Sequence, residues 1–217
     1  MAVLGIEGFS VTMPHKEDVA AACTELSADA RALAAVNCVV RRNGRSIGHS
    51  TDGEGFLFGL HRDLGFDPMG ANCVVLGAGG AARAVVLALA GAGAASVGVV
   101  NRTQARGIRA AELAGSAGAL VEPLVAADAD LIINATPMGM GADTSLPIDP
   151  SLIGAGQCVV DLIYHPAETP LLVAAASNGA RTASGLSMLV GQAAAAFTLW
   201  TGEQAPLDEM FAAVNSA

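Results

Sequence analysis

Val74-Val75-Leu76-Gly77-Ala78-Gly79-Gly80-Ala81-Ala82 carries the pattern G-x-G-x-x-A directly after a β-branched run and directly before an alanine-rich helical one. The first glycine allows a tight turn, the second lets the backbone come close to a pyrophosphate, and the small Ala82 lets the helix press on the sheet. The helix N-terminus then offers oriented N–H donors to the anion. In a chain with 26 glycines the fingerprint takes its meaning from context. Here a strand precedes it, a helix follows it, and a second strand comes one βαβ unit later. Gly77, Ala78, Gly79, Gly80 and Ala81 are therefore the expected phosphate cradle of a dinucleotide.

Outward from this loop, short β-branched runs alternate with longer helical ones. Strands are expected at residues 73–76, 96–100, 131–134, 158–162 and 181–183, and helices at 82–90, 104–114 and 169–178. Such alternation predicts an α/β fold with a doubly wound parallel sheet of the Rossmann type. Residues upstream of about 60 have their own strand, helix and hairpin pattern. Helices at 187–200 and 207–215 follow the last strand. The expected division is an NADP-binding Rossmann domain at 52–185 and a smaller α/β substrate domain from 1–51, completed by the C-terminal helices in 186–217.

The choice of NADP comes from the end of the second strand, Asn101-Arg102-Thr103-Gln104-Ala105-Arg106. An NAD site usually places Asp or Glu there to accept hydrogen bonds from the ribose hydroxyls, and this segment has neither. Arg102 and Arg106 instead match the geometry of a ribose 2′-phosphate, with Asn101 and Thr103 beside them. Further on, Asn134-Ala135-Thr136-Pro137-Met138-Gly139 follows the next strand at the carboxyl edge of the sheet. Thr136 suits a nicotinamide-ribose neighbourhood, and a plain strand-to-loop turn explains the segment nearly as well.

Composition sets limits on the alternatives. Charged residues are 14% of the 217, against about 25% in an ordinary soluble protein. The surplus lies in Ala and Gly, which favours close packing of helices. The most apolar stretch, residues 84–100, falls short of a bilayer span, so no membrane insertion is expected. A net charge of −9 argues against a nucleic-acid groove. The first residues show no signal-peptide pattern. Cys23, Cys38, Cys73 and Cys158 have no metal-ligand or disulfide spacing, so no metal site is expected and reduced thiols in a cytoplasmic protein are the default. The cluster Arg41-Arg42-Asn43-Gly44-Arg45 reads as a hairpin tip.

Ten residues are arginine and one is lysine. Arginine stays protonated, whereas a partly buried lysine can lose and regain its proton, so Lys16 is a candidate proton-transfer group. It lies in Ser10-Val11-Thr12-Met13-Pro14-His15-Lys16, where Pro14 predicts a helix start. A cation in that first turn opposes the helix dipole, which favours function over stability as its reason. Asp52 is the expected partner, inside a Thr51–Glu54 capping box at the domain junction. A carboxylate there can hold Lys16 by a charge-assisted hydrogen bond.

Taken together these motifs resemble the shikimate dehydrogenase family across nearly the whole chain. The V-T-x-P-x-K turn is Val11 to Lys16; Ala35-Val36-Asn37 and Thr51-Asp52-Gly53 follow, then the glycine loop, the N-R-T-x-x-R and N-A-T-P-x-G segments, Asp161-Leu162-Ile163-Tyr164, and Gly185 through Ala193. The resemblance implies reversible NADP-dependent interconversion of shikimate and 3-dehydroshikimate. It makes Lys16 the acid/base and Asp52 its partner. Thr12, Lys16, Asn37, Asp52, Tyr164 and Gln192 would contact the substrate, and Leu162 and Gly185 would meet the nicotinamide end through backbone groups.

The chain departs from the family pattern in two ways. Family members carry a longer segment before the lysine turn, with a Ser-x-Ser pair for the substrate carboxylate; the expectation is that this chain lacks it and exposes a sheet edge suited to pairing with a second copy. Ser10 and Ser50 stand where asparagine is commoner. Two other readings stay open: an NADP-binding module without turnover, and a dehydrogenase of the quinate/shikimate type.

Overall fold

The computed structural model describes residues 5–215. Its larger sheet has six parallel strands in the order β10-β9-β8-β5-β6-β7. These are β5 (Asn72–Leu76), β6 (Ser96–Val100), β7 (Gly118–Leu120), β8 (Leu131–Asn134), β9 (Cys158–Asp161) and β10 (Arg181–Ser184). The direction of winding across the sheet reverses between β5 and β8, so the crevice for a ligand opens at their carboxyl ends. The strands are apolar throughout because both faces are covered. Cys73, Val75, Ile133 and Val160 point into one core with Phe56, Leu60, Val85 and Leu89. Val74, Leu76, Ile132 and Val159 point into the other, against Leu171, Leu172 and Ala175. The covering helices include α4 (Gly80–Gly91), α5 (Gln104–Ala111) and α6 (Pro170–Ser177).

A smaller sheet has the order β1-β3-β4-β2, built from β1 (Gly8–Ser10), β2 (Glu25–Leu26), β3 (Cys38–Arg42) and β4 (Arg45–His49). The arginine-rich hairpin tip is present: Asn43 and Gly44 have φ of 52° and 78° between antiparallel β3 and β4. Two positive φ values in a two-residue loop match the twist of the flanking strands. Helices α1 (Lys16–Ala22) and α2 (Ala28–Leu33) accompany this sheet, with Val11, Ala20, Ala30, Val36 and Val39 forming its core.

The two sheets are joined by α3 (Asp52–Leu64) and α7 (Leu186–Thr201), with α8 (Leu207–Asn215) behind them. Small residues let α3 and α7 touch backbone to backbone. A β-carbon on Gly55 would stand 2.5 Å from the Gln192 nitrogen, and one on Gly59 would stand 3.0 Å from the Met188 nitrogen. That close approach places the start of α3 beside the middle of α7. Further along α7, Ala196 and Trp200 pack on Cys38 and Val40 of the small sheet, and Trp200 Nε1 donates to the Val39 carbonyl at 3.0 Å.

Three sequence expectations need correction. Strand β7 lies outside the expected set, because Gly-Ala-Leu carries no apolar alternation and, among the described residues, pairs with β6 alone. Helix α5 ends at Ala111, and the chain continues as a 3-10 segment in which Gly115 turns the backbone at φ 57°. Thr51 makes no capping bond to α3; its hydroxyl is used elsewhere. The four cysteines are free thiols, and burial pushes Cys38 up to about 11 and Cys73 to about 12, as expected of core residues rather than nucleophiles.

Candidate active site

Lys16 is the first residue of α1 and Asp52 the first residue of α3, and the two meet with Nζ 2.6 Å from Oδ2. Their side chains are 19% and 12% exposed, enough shelter to strengthen the bond while leaving it reachable. Asn37 holds the other carboxylate oxygen: its Nδ2 donates to Asp52 Oδ1 at 2.7 Å. The same amide donates to Thr51 Oγ1 at 2.9 Å, and its Oδ1 accepts from the Thr51 N–H at 2.8 Å. Thr51 Oγ1 in turn donates to the Gln192 carbonyl at 3.0 Å. Asn37 and Thr51 are buried, so these bonds fix the orientation of the Asp52 carboxylate before any ligand arrives.

The turn that carries Lys16 is tied to the same strand system by its backbone. The Val11 N–H donates to the Asn37 carbonyl at 2.7 Å, and the Val36 N–H donates to the Lys16 carbonyl at 3.0 Å. The lysine therefore has a rigid root on one side and a held carboxylate on the other. A cavity of about 380 Å³ opens over the pair. Thr12, Lys16, Asn37, Asp52, Tyr164 and Gln192 all line it, so the structure gathers all six residues expected at the substrate. Ala81, Leu162 and Gly185 line it as well, which joins the glycine loop to the same space. Ser10, Met188 and Leu189 also contribute walls; the sequence does not reveal the last two as site residues, since nothing marks an apolar residue on a helix as cavity-facing rather than core. A larger cavity, about 950 Å³, lies among α2, α3 and α4, and no expected site residue lines it.

The remaining expected residues sit along the carboxyl edge of the large sheet. Gly77 has φ 109°, and a β-carbon on it would stand 3.0 Å from the Ala135 carbonyl and 3.2 Å from Thr136 Cγ2. Only glycine fits there, and the loop and Thr136 are thereby neighbours. The Gly77 N–H donates to the Val100 carbonyl at 2.8 Å, which brings Asn101, Arg102, Thr103 and Arg106 to the other side of the loop. Asn101 Nδ2 donates to the Thr103 carbonyl at 2.8 Å, shaping the turn into α5. Gly79 and Gly80 face open space at the N-terminus of α4, where a built β-carbon meets nothing within 4 Å. Arg102 and Arg106 are exposed, and neither is in an ion pair among the described residues. Open glycine N–H groups beside two unpaired guanidiniums fit a phosphorylated dinucleotide.

At the nicotinamide end, a β-carbon on Gly185 would lie 2.0 Å from the Leu162 carbonyl, so glycine is required for that backbone to approach.

The comparisons with known proteins agree with this geometry. A family model described as the shikimate dehydrogenase substrate binding domain matches residues 1–39, and one described as the shikimate 5'-dehydrogenase C-terminal domain matches residues 185–214. The shikimate dehydrogenase (NADP(+)) of Geobacter metallireducens is 42% identical over 217 residues, covering 95% of this chain and 76% of the relative. The chain belongs to the shikimate dehydrogenase family. Among solved structures, the shikimate 5-dehydrogenase of Thermus thermophilus in complex with NADP(H) and shikimate superposes with a TM-score of 0.90 at 37% identity, covering 98% of this chain and 79% of that one. The quinate dehydrogenase of Corynebacterium glutamicum in complex with NAD superposes with a TM-score of 0.92 at 34% identity, covering 99% and 79%. The family's shared architecture thus includes both the parallel sheet and the smaller sheet beside which α1 carries Lys16.

Proposed function

We propose that this chain is an NADP-dependent shikimate dehydrogenase, interconverting shikimate and 3-dehydroshikimate. The observation that carries the reading is the joining of two features in one cavity: the Lys16–Asp52 pair at 2.6 Å and the glycine loop at Ala81. Proton transfer and hydride transfer must act on the same hydroxyl-bearing carbon, so their agents must share a space. The site is divided between a cofactor domain at 52–185 and a substrate domain formed by 1–51 and 186–217.

NADP, when bound, takes the hydride in the oxidation direction or supplies it in reduction. The residues of the chain manage the proton. As shikimate is oxidised, its hydroxyl proton passes to the Lys16–Asp52 pair while the carbonyl forms; in reduction the Lys16 ammonium returns a proton to the carbonyl oxygen. Asn37 keeps Asp52 aimed at Lys16, and with Thr12, Tyr164 and Gln192 it presents polar groups to the ring hydroxyls and carboxylate. Gly77, Ala78, Gly79, Gly80 and Ala81 would hold the pyrophosphate, Arg102 and Arg106 the 2′-phosphate with Asn101 and Thr103, and Thr136, Leu162 and Gly185 the nicotinamide end.

The likeness to a quinate dehydrogenase with NAD supports testing a second acid and a second coenzyme. The assay is reduction of NADP or NAD, followed by absorbance, with shikimate or quinate as donor. The reading expects turnover with shikimate and NADP to exceed the other three combinations; absence of turnover with shikimate and NADP, despite NADP binding, would instead support a binding module. Cytoplasmic residence fits the four free thiols, and association of two copies is the oligomeric state this reading expects. Among the described residues no helix is long and apolar enough to cross a membrane.

A further inference from the structure

Asp161 ends β9 and is fully buried, yet no ion pair among the described residues includes it. Its carboxylate is surrounded by donors from three segments. Oδ1 accepts from Asn134 Nδ2 at 3.0 Å and from the Ile163 N–H at 3.1 Å, and Oδ2 accepts from Thr169 Oγ1 at 2.7 Å. Asn134 ends β8, directly across the sheet from Asp161, and is fully buried too. Its Oδ1 accepts from both the N–H and the hydroxyl of Thr136, at 3.0 and 2.7 Å. Thr169 caps α6 by accepting from the Leu172 N–H at 3.3 Å.

The arrangement is unusual in its cost. Burial pushes the Asp161 carboxyl up, so the charged form is disfavoured there and held only by neutral donors. An apolar residue would fill the position more cheaply if strand packing were the sole demand. What the carboxylate adds over an apolar residue is acceptor capacity: Oδ1 takes the Asn134 and Ile163 donors together and Oδ2 takes the Thr169 hydroxyl. The three donors lead to different places. One arm runs through Asn134 to the Thr136 turn, the second through the Ile163 N–H to the Leu162–Tyr164 turn, and the third to α6, away from the cavity.

We propose that Asp161 is a positioning residue for cofactor binding, holding the Thr136 turn and the Leu162–Tyr164 turn in fixed relation at the carboxyl edge of the sheet. The proposal rests on the reading of the site as NADP-dependent, and it concerns residues that touch neither Lys16 nor Asp52. Asp161 acts through the two turns: one presents Thr136 beside Gly77, and the other presents Leu162 and Tyr164 to the cavity over the proton pair.

The test uses the full chain and three variants, Asp161→Ala, Asn134→Ala and Thr169→Val, each measured for thermal unfolding, NADP binding by calorimetry without substrate, and KM, kcat and pH profile with shikimate. Asp161→Ala, which removes the Oδ1 acceptor shared by Asn134 and Ile163, and Asn134→Ala are expected to weaken NADP binding about tenfold, the scale of one lost hydrogen bond to a charged or buried partner. At saturating NADP both should keep the pH profile of the unmodified chain, because the Lys16–Asp52 pair is untouched. Thr169→Val cuts only the arm into α6 and should lower the unfolding temperature while leaving NADP affinity unchanged. Equal NADP affinity in Asp161→Ala and the unmodified chain would overturn the proposal, as would a loss in Thr169→Val as large as in Asp161→Ala, which would mark general loosening. Should Asp161→Ala fail to fold, Asn134→Ala decides alone: unaltered NADP affinity there overturns the proposal. Failure of the unmodified chain to bind NADP would be a failure of the functional reading itself.

Discussion

Gly55 of α3 and Gly191 of α7 lie back to back, so that a β-carbon built on Gly191 would stand 3.0 Å from the Gly55 Cα and 3.1 Å from its carbonyl oxygen. This close approach sets the distance between Asp52, three residues before Gly55, and Gln192, one residue after Gly191. The proton pair and the cavity wall opposite it are therefore spaced by two missing side chains.

Gly55→Ala should separate the helices, since its methyl would meet backbone atoms of Gln192 and Met188 that no rotamer change can move aside. Overpacking of this kind costs about 1–3 kcal/mol. The expected result in denaturant unfolding is a lowered midpoint, accompanied by a raised KM for shikimate. Gly91→Ala is the control: a β-carbon there meets nothing within 4 Å, so stability should be unchanged or slightly improved.

Replacing both Arg102 and Arg106 by alanine should weaken NADP while sparing NAD, because the 2′-phosphate is the only group that distinguishes the two coenzymes. Removing one charge-assisted hydrogen bond to that phosphate lowers affinity about tenfold. Measured KM values for both coenzymes in the double variant check this: NADP should rise by about one to two orders of magnitude, and NAD should hold.

Most of the large sheet was legible because its strands are buried on both faces and so read as unbroken apolar runs: residues 131–134 are Leu-Ile-Ile-Asn, and the observed strand has those bounds. The helix at 207–215 was legible for the opposite reason, an amphipathic pattern without interruption. The Lys16–Asp52 pair was reachable from residue chemistry, lysine being single in the chain. Thr51 misled, since a threonine three residues before a glutamate carries the same local signal whether its hydroxyl caps a helix or, as here, bonds to Asn37 and Gln192. Asp161 stood in the family motif at 161–164 with nothing to mark a role of its own. Its role depends on Asn134 and Thr169, which are brought to it by strand register and by the path into α6.

His49, the last residue of β4, has its pKa lowered by burial and by the nearby Arg42 charge. As pH falls, the unfolded chain takes up the proton first, near the ordinary value of 6.5. The contribution of neutral His49 is thus fully present above that value and is lost as pH drops from it toward the lower folded-state value. Denaturant midpoints at pH 7.5 and 5.5 should differ more in the unmodified chain than in His49→Gln.

The central claim is that Lys16 moves a proton, and Lys16→Arg tests it most directly, because arginine keeps the positive charge beside Asp52 and removes reversible protonation. Single-turnover oxidation of shikimate with saturating NADP should be slowed by about 10²–10⁴-fold in Lys16→Arg and in Lys16→Ala, with NADP affinity unchanged in both. A rate for Lys16→Arg equal to that of the unmodified chain would show that the lysine serves only as a fixed charge, and would contradict the account.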